Sequence, residues 1–145
     1  MQRVTVFMIE NRLPMHTSAI INECIIGVGS NIDPEINIQA ALAILHQETD
    51  VRGISKWVKT APIGISNQSD FINGAIKIHT VMSQESFRHY LKNLEDKLGR
   101  DRSLPRYGPR VIDLDIIVWN DDIIDDDYYT RDFVRNAINE LKSPY

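Results

Sequence analysis

The sequence predicts an α+β sandwich of βαββαβ order with an additional C-terminal helix, the ferredoxin-like plan in which an antiparallel sheet carries both internal helices on one face. Three observations support this. Two apolar stripes of helical period each lie between β-branched runs, ten residues from Phe71 to Thr80 alternate in character, and the run VIDLDIIVW precedes one more short helical stripe.

The elements follow in order. ECIIGV, residues 23–28, is too short and too β-branched for a helix and stops at Gly29, so it reads as a buried strand. Asp33 is placed to cap a helix whose first position is Pro34, and Ile38, Ala41, Leu42 and Leu45 form its inward stripe over about four turns. Residues 54–60, ISKWVKT, alternate as a second strand and lead into the loop APIGISNQSD. In the third strand, Ile72, Gly74, Ile76 and Ile78 share one face, while Phe71, Asn73, Ala75 and Lys77 share the other. Ser83 caps a second helix with the stripe Phe87, Tyr90, Leu91, Leu94 and Leu98, and Gly99 stops it. In the fourth strand, Ile112, Leu114, Ile116 and Val118 are expected on one face, with Asp113 and Asp115 projecting from the other. The stripe Val134, Ala137, Ile138 and Leu141 marks the last helix. Residues 1–22 carry no sustained period and read as a tail or edge extension in front of one domain, 23–145.

Composition excludes several classes. A 145-residue chain with 43% hydrophobic residues can close a single core and is not a disordered tail. With 16 Lys plus Arg against 20 Asp plus Glu, the net charge is −4, which is not the excess positive field of a general nucleic-acid binder. The one cysteine, Cys24, allows neither a disulfide framework nor a thiolate metal cluster, and four scattered histidines show no ligand spacing. With no long apolar run and no secretory pattern at the start, the expectation is a cytoplasmic protein without a membrane partner.

The sharpest chemical signal is Asp113-Leu114-Asp115. Carboxylates two apart on a strand point the same way, about 6.6 Å apart, and repel each other unless a cation stands in front of them. Magnesium suits such a pair, since it takes one or two carboxylates and completes its shell with water and substrate phosphates. A solvated outer face is the other reading of the same residues. Arg100, Arg102, Arg106 and Arg110 crowd the loop just before the pair, as a polyphosphate site requires, although loop arginines also occur simply solvated. No GxxxxGK[ST] or GxGxxG motif is present, so neither a P-loop nor a Rossmann site applies. Phe71, Tyr107 and Phe133 read either as core aromatics or as walls for a flat heterocycle, and Asn73 either as a reader of that ring or as a polar surface residue.

RYGPRVIDLDII, residues 106–117, resembles the signature of the 6-hydroxymethyl-7,8-dihydropterin pyrophosphokinase family. The likeness extends to Gly29-Ser30-Asn31, Thr60-Ala61-Pro62-Ile63-Gly64, Asp70-Phe71-Ile72-Asn73, Glu95 and Gly99-Arg100-Asp101-Arg102, and covers roughly residues 23–124. It implies an ATP-dependent, magnesium-dependent transfer of pyrophosphate to a pterin alcohol in folate biosynthesis, by a monomer acting on small molecules. A divergent, noncatalytic pterin-binding or regulatory module is the alternative it leaves open. By the resemblance, Asp113 and Asp115 hold two Mg2+ ions and Arg100, Arg102 and Arg110 are catalytic. Glu95, Arg100, Arg110, Ile116 and Arg131 meet the nucleotide. Thr60, Ala61, Ile63, Phe71, Asn73, Tyr107 and Phe133 meet the pterin. Loops 61–70 and 100–109 are expected to close over the site. The chain departs from the family pattern at Ala61, where proline is usual, and after Ile124. There six residues reach Arg131 in place of a longer proline-histidine segment, so the C-terminal region is shortened.

Overall fold

The computed structural model describes residues 2–7 and 16–142. Phe71–Thr80 forms a strand with the bounds that its alternation predicts. Around it, in chain order, the elements are β1 Gln2–Phe7, β2 His16–Ser30, α1 Pro34–Glu48, β3 Asp50–Ile54, β4 Val58–Thr60, β5 Phe71–Thr80, α2 Gln84–Lys97, β6 Asp113–Trp119, β7 Asp122–Ile123, α3 Asp127–Thr130 and α4 Asp132–Leu141. The sheet runs β3-β5-β2-β6-β7, and every pairing in it is antiparallel. Taking β2, β3, β5 and β6 as the four strands of the βαββαβ unit gives the ferredoxin-like order. β4 pairs with the start of β5, and β1 pairs with residues 16–21 of β2 as a two-stranded ribbon.

Burial follows the two faces. Toward α1 and α2 the sheet presents Cys24, Ile26, Val28, Ile76, Ile78, Ile112, Leu114 and Ile116, which meet Ile38 and Leu45 of α1 and Phe87, Leu91 and Leu94 of α2. The other face presents Ile25, Ala75, Ile117 and Val118 to Ala137 and Ile138 of α4. Burying one such large aliphatic side chain contributes about 1.5–3 kcal/mol. Burial pushes the Cys24 thiol up to about 12, with Glu23 adding to the effect, so it stays protonated and serves as packing. Among the described residues, no helix is long and apolar enough to cross a membrane.

Several local expectations are corrected. Val118 packs on the α4 side rather than with Leu114, because β2 and β6 change register between Ile25 and Ile26 and Ile117 is the extra, bulged residue. The strand expected over 54–60 is two strands, β3 and β4, with residues 55–57 between them. There the Ser55 amide donates to the Ala75 carbonyl and the Ala75 amide donates to Ser55 Oγ at 2.8 Å, so one side chain replaces a ladder bond. Trp57 then lies flat over Gly74, where an added Cβ would meet the ring at 2.4 Å. The strand expected over 23–28 is the later part of β2, which begins at His16, well before Glu23. Asp33 precedes α1 in the left-handed region (φ 41°) and makes no side-chain cap, while Asn37 donates to the Ile32 carbonyl instead. Ser83 does cap α2, accepting from the Ser86 amide at 3.2 Å.

Candidate active site

β6 places the acidic pair. With Leu114 fully buried toward the helices, Asp113 and Asp115 emerge on the α4 face, half-buried, at the floor of a cleft of about 360 Å3. The neighbouring strands supply the rest of the floor. Gly29 of β2 lies opposite Asn73 of β5, and a Cβ at Gly29 would stand 2.7 Å from Asn73 Oδ1, so only glycine leaves room for that amide. Asn73 donates to Thr60 Oγ1 at 2.6 Å, which fixes it toward β4.

Of the residues the sequence singles out, the cleft brings together Thr60, Ala61, Ile63, Phe71, Asn73, Arg100, Tyr107, Arg110, Asp113, Asp115, Arg131 and Phe133. Glu95, Arg102 and Ile116 are not part of its lining. Ile116 is a core residue that also borders a small hollow beside Asp115. Arg102 lies behind the site, where it donates to Asp96 at 2.9 Å and to Glu95 at 3.1 Å. Glu95 is completely buried beneath the acidic pair.

Glu95 organises the surrounding cations. One of its oxygens accepts from Arg100 at 2.9 Å and from Arg102 at 3.1 Å, and the other accepts from Lys92 at 3.0 Å and from the Leu114 amide at 2.7 Å. Because β7 pairs only with Val118 and Trp119, this edge of β6 would otherwise be bare, and α2 side chains satisfy it. Arg100 carries on to Asp113 at 3.1 Å, and Lys92 to Asp115 at 2.9 Å and to the Leu114 carbonyl at 3.0 Å. Lys92 is a site residue that the sequence motifs do not single out. Its signal in the sequence is its place three residues before Glu95, on the same face of α2.

The electrostatics follow from this crowding. Burial, and then the charge of Asp115, push the Asp113 carboxyl up to about 7. Burial works against the Lys92 ammonium, but Asp115 and Glu95 outweigh it and hold its pKa above the ordinary lysine range. Burial, followed by repulsion from Arg100, lowers that of Arg110.

Two loops wall the cleft and are tied to each other. Asn31 accepts from the Arg110 amide at 2.7 Å and donates to Gln68 at 2.9 Å, and Gln68 donates to the Tyr107 carbonyl at 2.6 Å. The Arg110 guanidinium donates to the Pro105 carbonyl at 3.1 Å and also to that of Arg106. Asn31 and Gln68 are a further pair that spacing alone could not reveal, because Asn31 and Arg110 are 79 residues apart.

The acidic pair fits a divalent ion. Oxygens of Glu95, Asp113 and Asp115 come within 4.8 Å of one another, a hard-oxygen set of the kind magnesium takes. The four donors around Glu95 leave the two aspartates as the members that face the cleft.

Carboxylates, guanidinium groups and aromatic rings line one cleft of a ferredoxin-like domain. The family model described as 7,8-dihydro-6-hydroxymethylpterin-pyrophosphokinase matches residues 25–143, and the chain belongs to that family. It is 37% identical over 102 residues to the 2-amino-4-hydroxy-6-hydroxymethyldihydropteridine pyrophosphokinase of Bacillus subtilis, a match covering 68% of this chain and 60% of that protein. The protein of the same name from Haemophilus influenzae is 33% identical over 129 residues, covering 81% of this chain and 80% of its own length. The Pseudomonas aeruginosa relative is 32% identical over 109 residues, covering 73% and 67%.

Proposed function

We propose that this chain transfers pyrophosphate from ATP to 6-hydroxymethyl-7,8-dihydropterin, a step of folate biosynthesis, and that residues 23–145 are the catalytic unit, with 1–22 an edge extension. The observation that carries the reading is the pairing of Asp113 and Asp115 on one strand face beside Arg100 and Arg110, in the same cleft as Phe71, Asn73 and Phe133. Asp113 and Asp115 would hold two Mg2+ ions, whose chemistry when bound is to neutralise and orient the phosphate oxygens.

The protein's own work is placement and charge. Phe71 and Phe133 would sandwich the pterin ring, with Tyr107 at the mouth. Asn73, oriented by Thr60, would read its edge together with the backbone at Ala61 and Ile63. Arg131 and Arg110 would meet the nucleotide phosphates, with Ile116 against the nucleotide's apolar part. Arg100, anchored by Glu95, whose same oxygen also holds Arg102, would balance charge as the pterin hydroxymethyl oxygen bonds to the β-phosphorus and AMP leaves. No protein nucleophile is required, since orientation and electrostatics carry such transfers. Closure of the tied loops around Gln68 and Tyr107 would exclude water.

The test is AMP release from ATP with and without the pterin alcohol and with and without magnesium. AMP formed only when all three are present supports the reading. Pterin binding by calorimetry without AMP release would make the chain a binding module instead.

A further inference from the structure

Lys92 is an unusual neighbour for a metal-binding carboxylate. Its three N–H groups are matched by three oxygens: Asp115 at 2.9 Å, Glu95 at 3.0 Å and the Leu114 carbonyl at 3.0 Å. That is an oxygen cage of two carboxylates and one carbonyl, chemically the surroundings a hard divalent cation takes. The ammonium borders both the main cleft and the small hollow on the far side of Asp115, and a third of the side chain is exposed. It can therefore swing out without unfolding α2, whose inward face is Phe87, Leu91 and Leu94.

We propose that Lys92 is a tethered counter-ion of Asp115, which competes with a divalent cation for that carboxylate and so weakens metal binding to the nucleotide-free protein. This rests on the reading of Asp113 and Asp115 as metal ligands. Asp113 has a different partner, Arg100; both cations also bond Glu95, but Arg100 is 12% exposed against 33% for Lys92, so Lys92 is the one with room to yield. Binding of an ion at Asp115 then releases an ammonium into the hollow lined by Arg88, Ile116, Ile124 and Asp125, where Asp125 offers it a carboxylate. Charge separates Lys92 from a neutral hydrogen-bonding residue at this position: an amide would satisfy Glu95 and the Leu114 carbonyl without repelling the ion.

The test is titration of Mn2+ into the nucleotide-free protein, read by electron paramagnetic resonance of the free ion, for wild type, Lys92→Gln, Lys92→Arg and Asp115→Asn, each first shown to be folded by its melting curve. A tethered counter-ion predicts about tenfold tighter Mn2+ binding in Lys92→Gln, the scale of removing one nearby like charge at a partly exposed site, and wild-type affinity in Lys92→Arg. The 15N resonance of the Lys92 ammonium should also shift as Mg2+ is added. Equal affinities in wild type and Lys92→Gln, with weaker binding in Asp115→Asn, would overturn the role of Lys92 and leave the metal site standing. Binding that ignores Asp115 in every protein would overturn both.

Discussion

Replacing Glu95 with glutamine removes one charge and adds one proton pair with almost no change of shape. Each Glu95 oxygen accepts two hydrogen bonds: Arg100 and Arg102 meet one, Lys92 and the Leu114 amide the other. The amide nitrogen of glutamine only donates, so in either orientation it confronts two donors and two bonds are lost. Bonds to charged groups contribute about 1.5–3 kcal/mol each, and breaking a buried ion network typically costs about 3–5 kcal/mol. Glu95 is fully buried and Arg100 nearly so, so screening by solvent gives little relief. The expected loss is about 4 kcal/mol, roughly a 12 °C drop in melting temperature for a domain of this size. Urea unfolding followed by Trp57 and Trp119 fluorescence measures it, with Asp115→Asn as the half-buried cleft control expected within about 1 kcal/mol of wild type. A Glu95→Gln protein melting within about 3 °C of wild type would refute the view that this carboxylate anchors the site.

Three further outcomes follow from the same geometry. Because Asp113 holds its proton more tightly folded (about 7) than unfolded (3.8), its contribution to stability of the metal-free protein is complete below about pH 4 and is lost as pH rises to about 7. The full shift corresponds to about 4 kcal/mol, and since over a third of the side chain is exposed, screening reduces it to about 1–2. Urea midpoints of wild type minus Asp113→Asn between pH 4 and pH 8 should show that slope, and a flat difference would contradict it. Gly74→Ala forces the Trp57 ring away from β5, with an expected loss of about 1–3 kcal/mol in the same unfolding assay; an unchanged midpoint would show that the ring moves freely. Asn73→Ala should raise the KM for the pterin about tenfold to a hundredfold with kcat for saturating pterin little changed, since it removes a polar reader worth about 1–3 kcal/mol when left unmatched. A KM equal to wild type would remove Asn73 from the pterin site.

Much of the architecture was legible because its elements repeat a period. The alternation of Phe71–Thr80 and the stripe from Phe87 to Leu94 each report which face is buried, and Ser83 marks where the second helix starts. What escaped was set by single residues or by distant partners. The bulge at Ile117 inserts one residue and reverses Val118, which no period can register. DVRGI, residues 50–54, carries charge at Asp50 and Arg52, is interrupted by Gly53 and lacks the apolar run that marks a strand, yet it pairs with β5 along an edge. The acidic pair was visible as a spacing, and the arginines as a local density of charge. Their division of labour was not, because Glu95 is polar on a helix that otherwise buries apolar side chains, and only the folded chain shows Arg100, Arg102 and Lys92 converging on it.

The most direct measurement is AMP release by Asp115→Ala at saturating ATP, pterin alcohol and magnesium, alongside its melting curve. Removing this half-buried carboxylate relieves repulsion on Asp113 and leaves Lys92 its bonds to Glu95 and the Leu114 carbonyl, so the fold should persist within about 1 kcal/mol. Turnover should fall by about a thousandfold or more, as loss of a metal's charge stabilisation implies. A folded Asp115→Ala protein that still releases AMP at the wild-type rate would contradict the account at its centre.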